Sequence, residues 1–189
     1  MEEQVVQLGS VAHLNYGSSL PESTRRPGAV PVYGSNGAVG SHDTPISQGP
    51  GIIVGRKGSI GEVHFVDGPF WAIDTTYFVD ASSSSCHLPW LALWLRAQGL
   101  KRLNRATGVP GLDRNDVEAL EIRTPEIADQ VETADALSRQ MAFAKNAAAR
   151  LREAIELASV VGRACLQRCF GQVPPVGCTK AGVSKPAGW

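Results

Sequence analysis

A chain of 189 residues, 43% hydrophobic and 19% charged with no net charge, suits one ordinary globular domain plus an appendage. That balance excludes disorder throughout, and the lack of any run of 18 apolar residues excludes a membrane-spanning helix. It also excludes a domain-wide basic field: residues 1–125 carry ten Lys and Arg against twelve Asp and Glu, a net of −2, so any nucleic-acid contact must come from a local patch.

The chain opens MEEQVVQLGS, acidic and without an apolar h-region, so no secretory signal is expected. Up to residue 125 it is dense in Gly, Pro and Ser. AVPVYG, GIIVGR, GEVHFV and TTYFVD each read as short strands bounded by turn residues. Ser35 and Asn36 in VYGSNG read equally as a turn and as ligand-facing residues. GIIVGRKGSIG looks at first like a phosphate loop, but its spacing fails both nucleotide patterns. Arg56 intervenes before Lys57 and Gly58 separates Lys57 from Ser59, so it is not G-x-x-x-x-G-K-[ST]; glycines at 55, 58 and 61 are not G-x-G-x-x-G. IIVG-RKGS-IGEVHFV reads instead as a hairpin.

LPWLALWLRAQGLKRLNRA breaks the strand pattern, with Leu88, Leu91, Trp94 and Leu95 at helical spacing as core residues. Behind them Arg96, Lys101, Arg102 and Arg105 cluster with Asn104. A solvated helix face is the plainer reading of that patch, a phosphate-binding face the sharper one. VEALEIRTP reads as a last strand, stopped by Pro125.

From Glu126 the chain runs about 45 residues without proline and with Gly162 alone as a breaker, a helix roughly 67 Å long. Asp129 and Glu132 suit its start, Arg163 and Arg168 its end. A heptad template places Ile127, Ala134, Met141, Ala148, Ile155 and Gly162 on one seam position. Gln130, Leu137, Ala144, Leu151, Ala158 and Cys165 take the other. Ten of these twelve are apolar, the signature of a coiled coil in which abundant alanine lets the partner approach closely. Such a helix needs a partner outside its own domain, and a second copy is the economical one. The remaining Pro/Gly/Ser/Lys-rich tail, 171–189, is expected to be poorly ordered.

Enzymatic signatures are lacking: no G-x-S-x-G, no H-E-x-x-H, no N-P-P-[YF]. His42 beside Asp43 reads as a turn pair or, in a hydrolase, as a dyad. Asp74, Thr75 and Thr76 read as a polar turn or a site. Cys86, Cys165, Cys169 and Cys178 lack zinc-ligand spacing. Cys165 and Cys169, one helical turn apart, read as small packing residues in a reducing compartment, and a cytoplasmic location is expected.

Together, LNYGSSLPESTRRPGAVPVYGSNGAVGSHD, GPGIIVGRKGSIGEVHFVDGPFWAIDTTYFVD and ATGVPGLDRNDVEALEIRTPEIADQ resemble the DNA-specificity subunit of type I restriction–modification systems, over about residues 8–130. The long helix is similar to that family's helical spacer. The resemblance implies an α+β fold: a target recognition domain of short strands and a few helices over 1–125, then a long coiled-coil-forming helix over 126–170. It implies a subunit without catalysis or cofactor of its own. The partners implied are double-stranded DNA, methyltransferase subunits that bind S-adenosylmethionine, and a restriction subunit that binds ATP. The usual member carries two recognition domains and two long helices, whereas this sequence has one set. An antiparallel homodimer supplies the second and reads a bipartite, palindromic site with half-sites one to one-and-a-half turns apart. Ile127, Ala134, Leu137, Met141, Ala144, Ala148, Leu151, Ile155 and Ala158 form its dimerisation face. The rival of another class is a coiled-coil adaptor with a protein-binding head.

Motifs shared by family members that read different sequences do not carry the base code. Arg56, Lys57 and Ser59 are therefore expected in loop structure or on phosphate. Arg25, Arg26, Ser41, His42 and Asn104 are the base-reading candidates. Ser35, Asn36, Thr76, Lys101, Arg102 and Arg105 complete the DNA-binding set.

Overall fold

The computed structural model describes residues 4–104 and 111–171. The first unit opens with strand β1 (Gln4–Gln7) and the short β2 (Asn15–Tyr16), then turns through a hairpin, β3 (Val30–Gly34) and β4 (Gly37–His42). Strands β5 (Gly51–Gly55), β6 (Val63–Val66), β7 (Trp71–Ala72) and β8 (Thr76–Asp80) follow. Helices α1 (Leu88–Ala97) and α2 (Arg114–Glu118), strand β9 (Glu121–Thr124) and helix α3 (Ile127–Phe170) complete the described elements. The fold is α+β, as expected, and the Arg105 assignment and the tail 172–189 lie outside the described residues.

The strands form an antiparallel sheet in the order β2-β8-β5-β6, a second sheet β4-β3-β7 in which β3 and β7 are parallel, and a β1-β9 ladder. All five residues of β5 are buried because its two faces serve different cores. Ile52 and Val54 join Leu91, Leu95, Val79 and Leu100 on one side; Ile53 joins Phe70, Phe78, Val66 and Ala72 on the other. A strand covered on both faces reads as a continuous apolar run, and GIIVG has no polar alternation for that reason.

Two expectations about segments need correcting. LPWLALWLRAQGLKRLNRA is not one helix: α1 stops before Gly99, whose φ of 62° is left-handed, and a 3-10 turn carries Leu100–Leu103. VEALEIRTP is a strand only from Glu121, since Val117 and Glu118 belong to α2, capped by the Asp113 carboxylate accepting from Asn115 N at 2.7 Å. Cys165 and Cys169 are exposed in the single chain, like the rest of α3 beyond Leu137. Strands β1, β2, β4 and β7 were not foreseen.

The start of α3 is docked in the first unit. Gln130 is 2% exposed; its Oε1 accepts from His87 N at 2.8 Å and its Nε2 donates to Pro125 O at 2.9 Å. Ala134, placed on the dimerisation face by the heptad template, is buried in the core of the first unit instead. Template position 130 is buried with it because a helix leaving a domain must first cover that domain's core. The chain divides into two compact units between Leu137 and Ser138, and from Leu137 to Phe170 every residue of α3 is exposed.

Candidate functional site

The loop joining β5 to β6, residues 56–62, is bolted down by backbone hydrogen bonds. Gly55 N donates to Glu62 O and Gly61 N to Gly55 O, both at 2.8 Å, closing its base. Arg56 N and Lys57 N both donate to Thr75 O, at 2.9 and 3.1 Å, and Leu112 N donates to Arg56 O at 2.9 Å. Gly61 sits at φ +72°, and a Cβ there would lie 2.8 Å from Lys101 N, so only glycine closes the loop.

With its backbone held on both sides, Arg56 lays its guanidinium on tyrosines. Its Cζ lies 5.2 Å from the Tyr16 ring centroid and 5.8 Å from that of Tyr77. Arg114 Cζ also lies 5.2 Å from Tyr16, and the two rings meet edge-on at 5.1 Å. Cations near aromatic faces are attracted by the ring quadrupole. Tyr77 is buried and donates its hydroxyl to Leu112 O at 2.9 Å. Burial first, then neighbouring Tyr16, push the Tyr77 phenol up to about 12, so it adds no negative charge at physiological pH. Tyr16 and Arg114 were missed by sequence reading. No local spacing links them to Arg56, since β2, the loop and α2 meet only through the fold.

The other candidates fall into separate groups. Lys57 is exposed, Ser59 half-buried and Asn36 exposed in the β3–β4 turn. Lys101 Nζ lies 2.6 Å from Glu62 Oε1, and hydrogen bonding to Lys101 holds the Glu62 carboxyl below its usual range. Gly61, Glu62, Arg96 and Lys101 help line a cavity of about 330 Å³, which joins the end of the loop to the basic patch. Arg102 is exposed, and Asn104 Oδ1 accepts from Gly111 N at 3.3 Å.

Arg25, Arg26, Ser41 and His42 gather around β4. Arg25 donates to Leu20 O at 3.3 Å and Val39 O at 2.8 Å, while Arg26 forks onto Asp43 with Nε–Oδ2 2.7 Å and Nη2–Oδ1 3.1 Å. That fork holds the Asp43 carboxyl below its ordinary value. His42 is 5% exposed, stands edge-on to Trp71, and has both ring nitrogens engaged: Nδ1 accepts from Arg26 N at 3.0 Å, and Nε2 is 3.3 Å from Asp43 Oδ1. The His42–Asp43 pair is therefore a clamp on the 25–28 segment, which removes the basis for a hydrolytic dyad.

Three proposed DNA contacts are covered in this chain. Thr76 is fully buried, with its hydroxyl donating to Ile73 O at 2.7 Å; Ser35 is 7% exposed and donates to Thr75 O at 2.6 Å; His42 is occupied as described. Their polar atoms hold turns together. Ser41 remains exposed. Among the described residues no group of three or more His, Cys, Asp or Glu is placed to hold a metal, and no helix is long and apolar enough to cross a membrane.

Comparison with known proteins places this geometry. The fold is similar to the S subunit of a type I restriction–modification system from M. genitalium, at TM-score 0.62 and 14% identity over 90% of this chain and 46% of that one. A structure described as giving the structural basis of complex assembly and conformational transition of the type I R-M system matches at TM-score 0.63 and 16% identity, over 82% of this chain and 43% of that one. The HsdS subunit from Thermoanaerobacter tengcongensis matches at 0.57 and 17% identity, over 76% and 39%. This chain thus spans less than half the length of these solved relatives. The comparison with curated proteins returns no match. Residues 2–157 match the family described as the type I restriction modification DNA specificity domain; the match runs from the β1 strand through the head and deep into α3, and the chain belongs to that family.

Proposed function

We propose that this chain is the non-catalytic, sequence-recognising subunit of a type I restriction–modification complex in the cytoplasm. Residues 1–125 read double-stranded DNA. Residues 126–170 pair with a second copy in antiparallel fashion, so that two identical heads meet the two halves of a palindromic, interrupted site. The dimer positions methyltransferase subunits, which supply the S-adenosylmethionine chemistry, and a restriction subunit joins the same assembly.

The observation that carries this reading is the family match across residues 2–157, which spans head and helix together. One further fact supports it. Large apolar side chains on α3, among them Leu137, Met141, Leu151 and Ile155, are 41–63% exposed in the single chain, as expected of a helix that meets its partner elsewhere.

Binding to a panel of duplexes in the presence of the methyltransferase subunits tests it. A preference for one bipartite sequence is expected. Equal binding to all duplexes at every salt concentration overturns the DNA reading in favour of an adaptor with a protein-binding head.

A further inference from the structure

Resting on that reading, the Tyr16 cluster has a more specific task. Two guanidiniums share one ring: with each Cζ 5.2 Å from its centroid, they are at most about 10 Å apart. Arg56 makes no ion pair among the described residues. Arg114 is paired with Glu118 only at long range, Nε–Oε2 4.0 Å, beyond hydrogen-bond reach. The other oxygen of that carboxylate accepts from Leu14 N at 2.9 Å and faces His13 Nδ1 at 3.0 Å. Asp113, next in chain, is engaged in capping α2. The Arg114 side chain is 31% exposed although its Nε atom is buried.

The chemistry that satisfies two always-charged planar forks is an oxyanion with several acceptor oxygens. Tyr16 is 52% exposed, so the cluster opens to solvent, and neutral Tyr77 behind it does not repel an anion. The loop backbone that carries Arg56 is fixed through Thr75 and Leu112, so the fork is pre-organised. Successive phosphates on one DNA strand lie 3.4 Å apart along the axis, so forks within about 10 Å of each other can hold one phosphate jointly or two neighbours.

We propose that Tyr16, Arg56 and Arg114 form a seat for the DNA phosphate backbone, in which one tyrosine ring lies against both arginines. The seat fixes the head on the duplex and takes no part in choosing the sequence.

The test uses the chain in complex with its methyltransferase subunits and measures affinity against salt for a cognate and a scrambled duplex. Arg56→Ala and Arg114→Ala each flatten the slope of log K on log salt by about 0.9 when they hold separate phosphates, and the double variant by about 0.9 in all when they share one. Both weaken cognate and scrambled duplexes by the same factor. Tyr16→Phe keeps wild-type behaviour, and Tyr16→Ala loses affinity for both duplexes. Thermal unfolding monitors each variant; should Arg114→Ala fail to fold, Arg114→Lys retains the charge, and its slope stays while affinity for both duplexes falls. Unchanged slopes and affinities in a complex that still prefers its site overturn the seat and leave the proposed function standing. Loss confined to the cognate duplex overturns it too, since that marks base reading. Absence of any site preference in the wild-type complex counts against the proposed function itself.

Discussion

At the scale of single residues, polar groups in this head divide by burial. Gln130 is the clearest structural case. Its amide satisfies the His87 N–H and the Pro125 carbonyl, tying the first turn of α3 to the start of α1. Gln130→Leu leaves the His87 N–H without an acceptor, and a loss of about 1–3 kcal/mol is expected, read as a lower urea midpoint of the head. Asp43 gives a pH signature. Its folded pKa is depressed by the Arg26 fork, so its stabilising effect is present above the ordinary carboxylate value of about 3.9 and is lost as pH falls through the native value. Urea midpoints of wild type and Asp43→Asn, measured against pH, should therefore differ above that range and converge below the native value. A constant difference down to the lowest pH would remove the fork as the cause. Of this residue-level detail, the sequence discloses what spacing alone decides. It rules out a nucleotide loop at GIIVGRKGSIG, yet it hides Tyr16 and Arg114, because only the packing of β2 and α2 brings them to Arg56.

At the scale of elements, β3, β5, β6 and β8 were legible because each is an apolar run between turn residues. The strands missed were short, polar or glycine-rich: GAVGSH forms β4 only because β3 offers it a ladder, and β1 pairs with β9 from the far end of the unit. The long helix was legible in extent, but its first turns belong to the head, where Ala134 is buried. In the proposed homodimer the pairing face begins at Leu137, and its residue sizes favour one register. In an antiparallel pair, setting Ala148 against a second copy's Leu151 also sets Ala144 against Ile155, Met141 against Ala158 and Leu137 against Gly162. Every layer then holds one large and one small side chain. Slipping by a heptad sets Met141 on Leu151 and Ala144 on Ala148, crowding one layer and emptying the next, and both are destabilising. With the native cysteines replaced by alanine, Met141→Cys combined with Ala158→Cys should give covalent dimers on mild oxidation, and Met141→Cys with Leu151→Cys should not. The opposite pattern would select the slipped register, and monomers by light scattering at tens of micromolar would argue against self-pairing altogether.

At the scale of the whole molecule, that register sets a length. With Leu137 opposite the second copy's Gly162, the points where the two exposed helices begin are separated by roughly 25 residues of rise, about 38 Å along the pair. Measured on duplex DNA at 3.4 Å per base pair, this is about 11 base pairs. A one-heptad slip would move that separation by about 10 Å, close to 3 base pairs. The two-fold axis of an antiparallel pair lies across the helices, so the two half-sites must be inverted copies of one another. Methylome sequencing of a cell carrying this chain with its methyltransferase should therefore return a self-complementary, interrupted site with half-sites one to one-and-a-half turns apart. An asymmetric site would mean that the two heads are not identical, and would sink the homodimer.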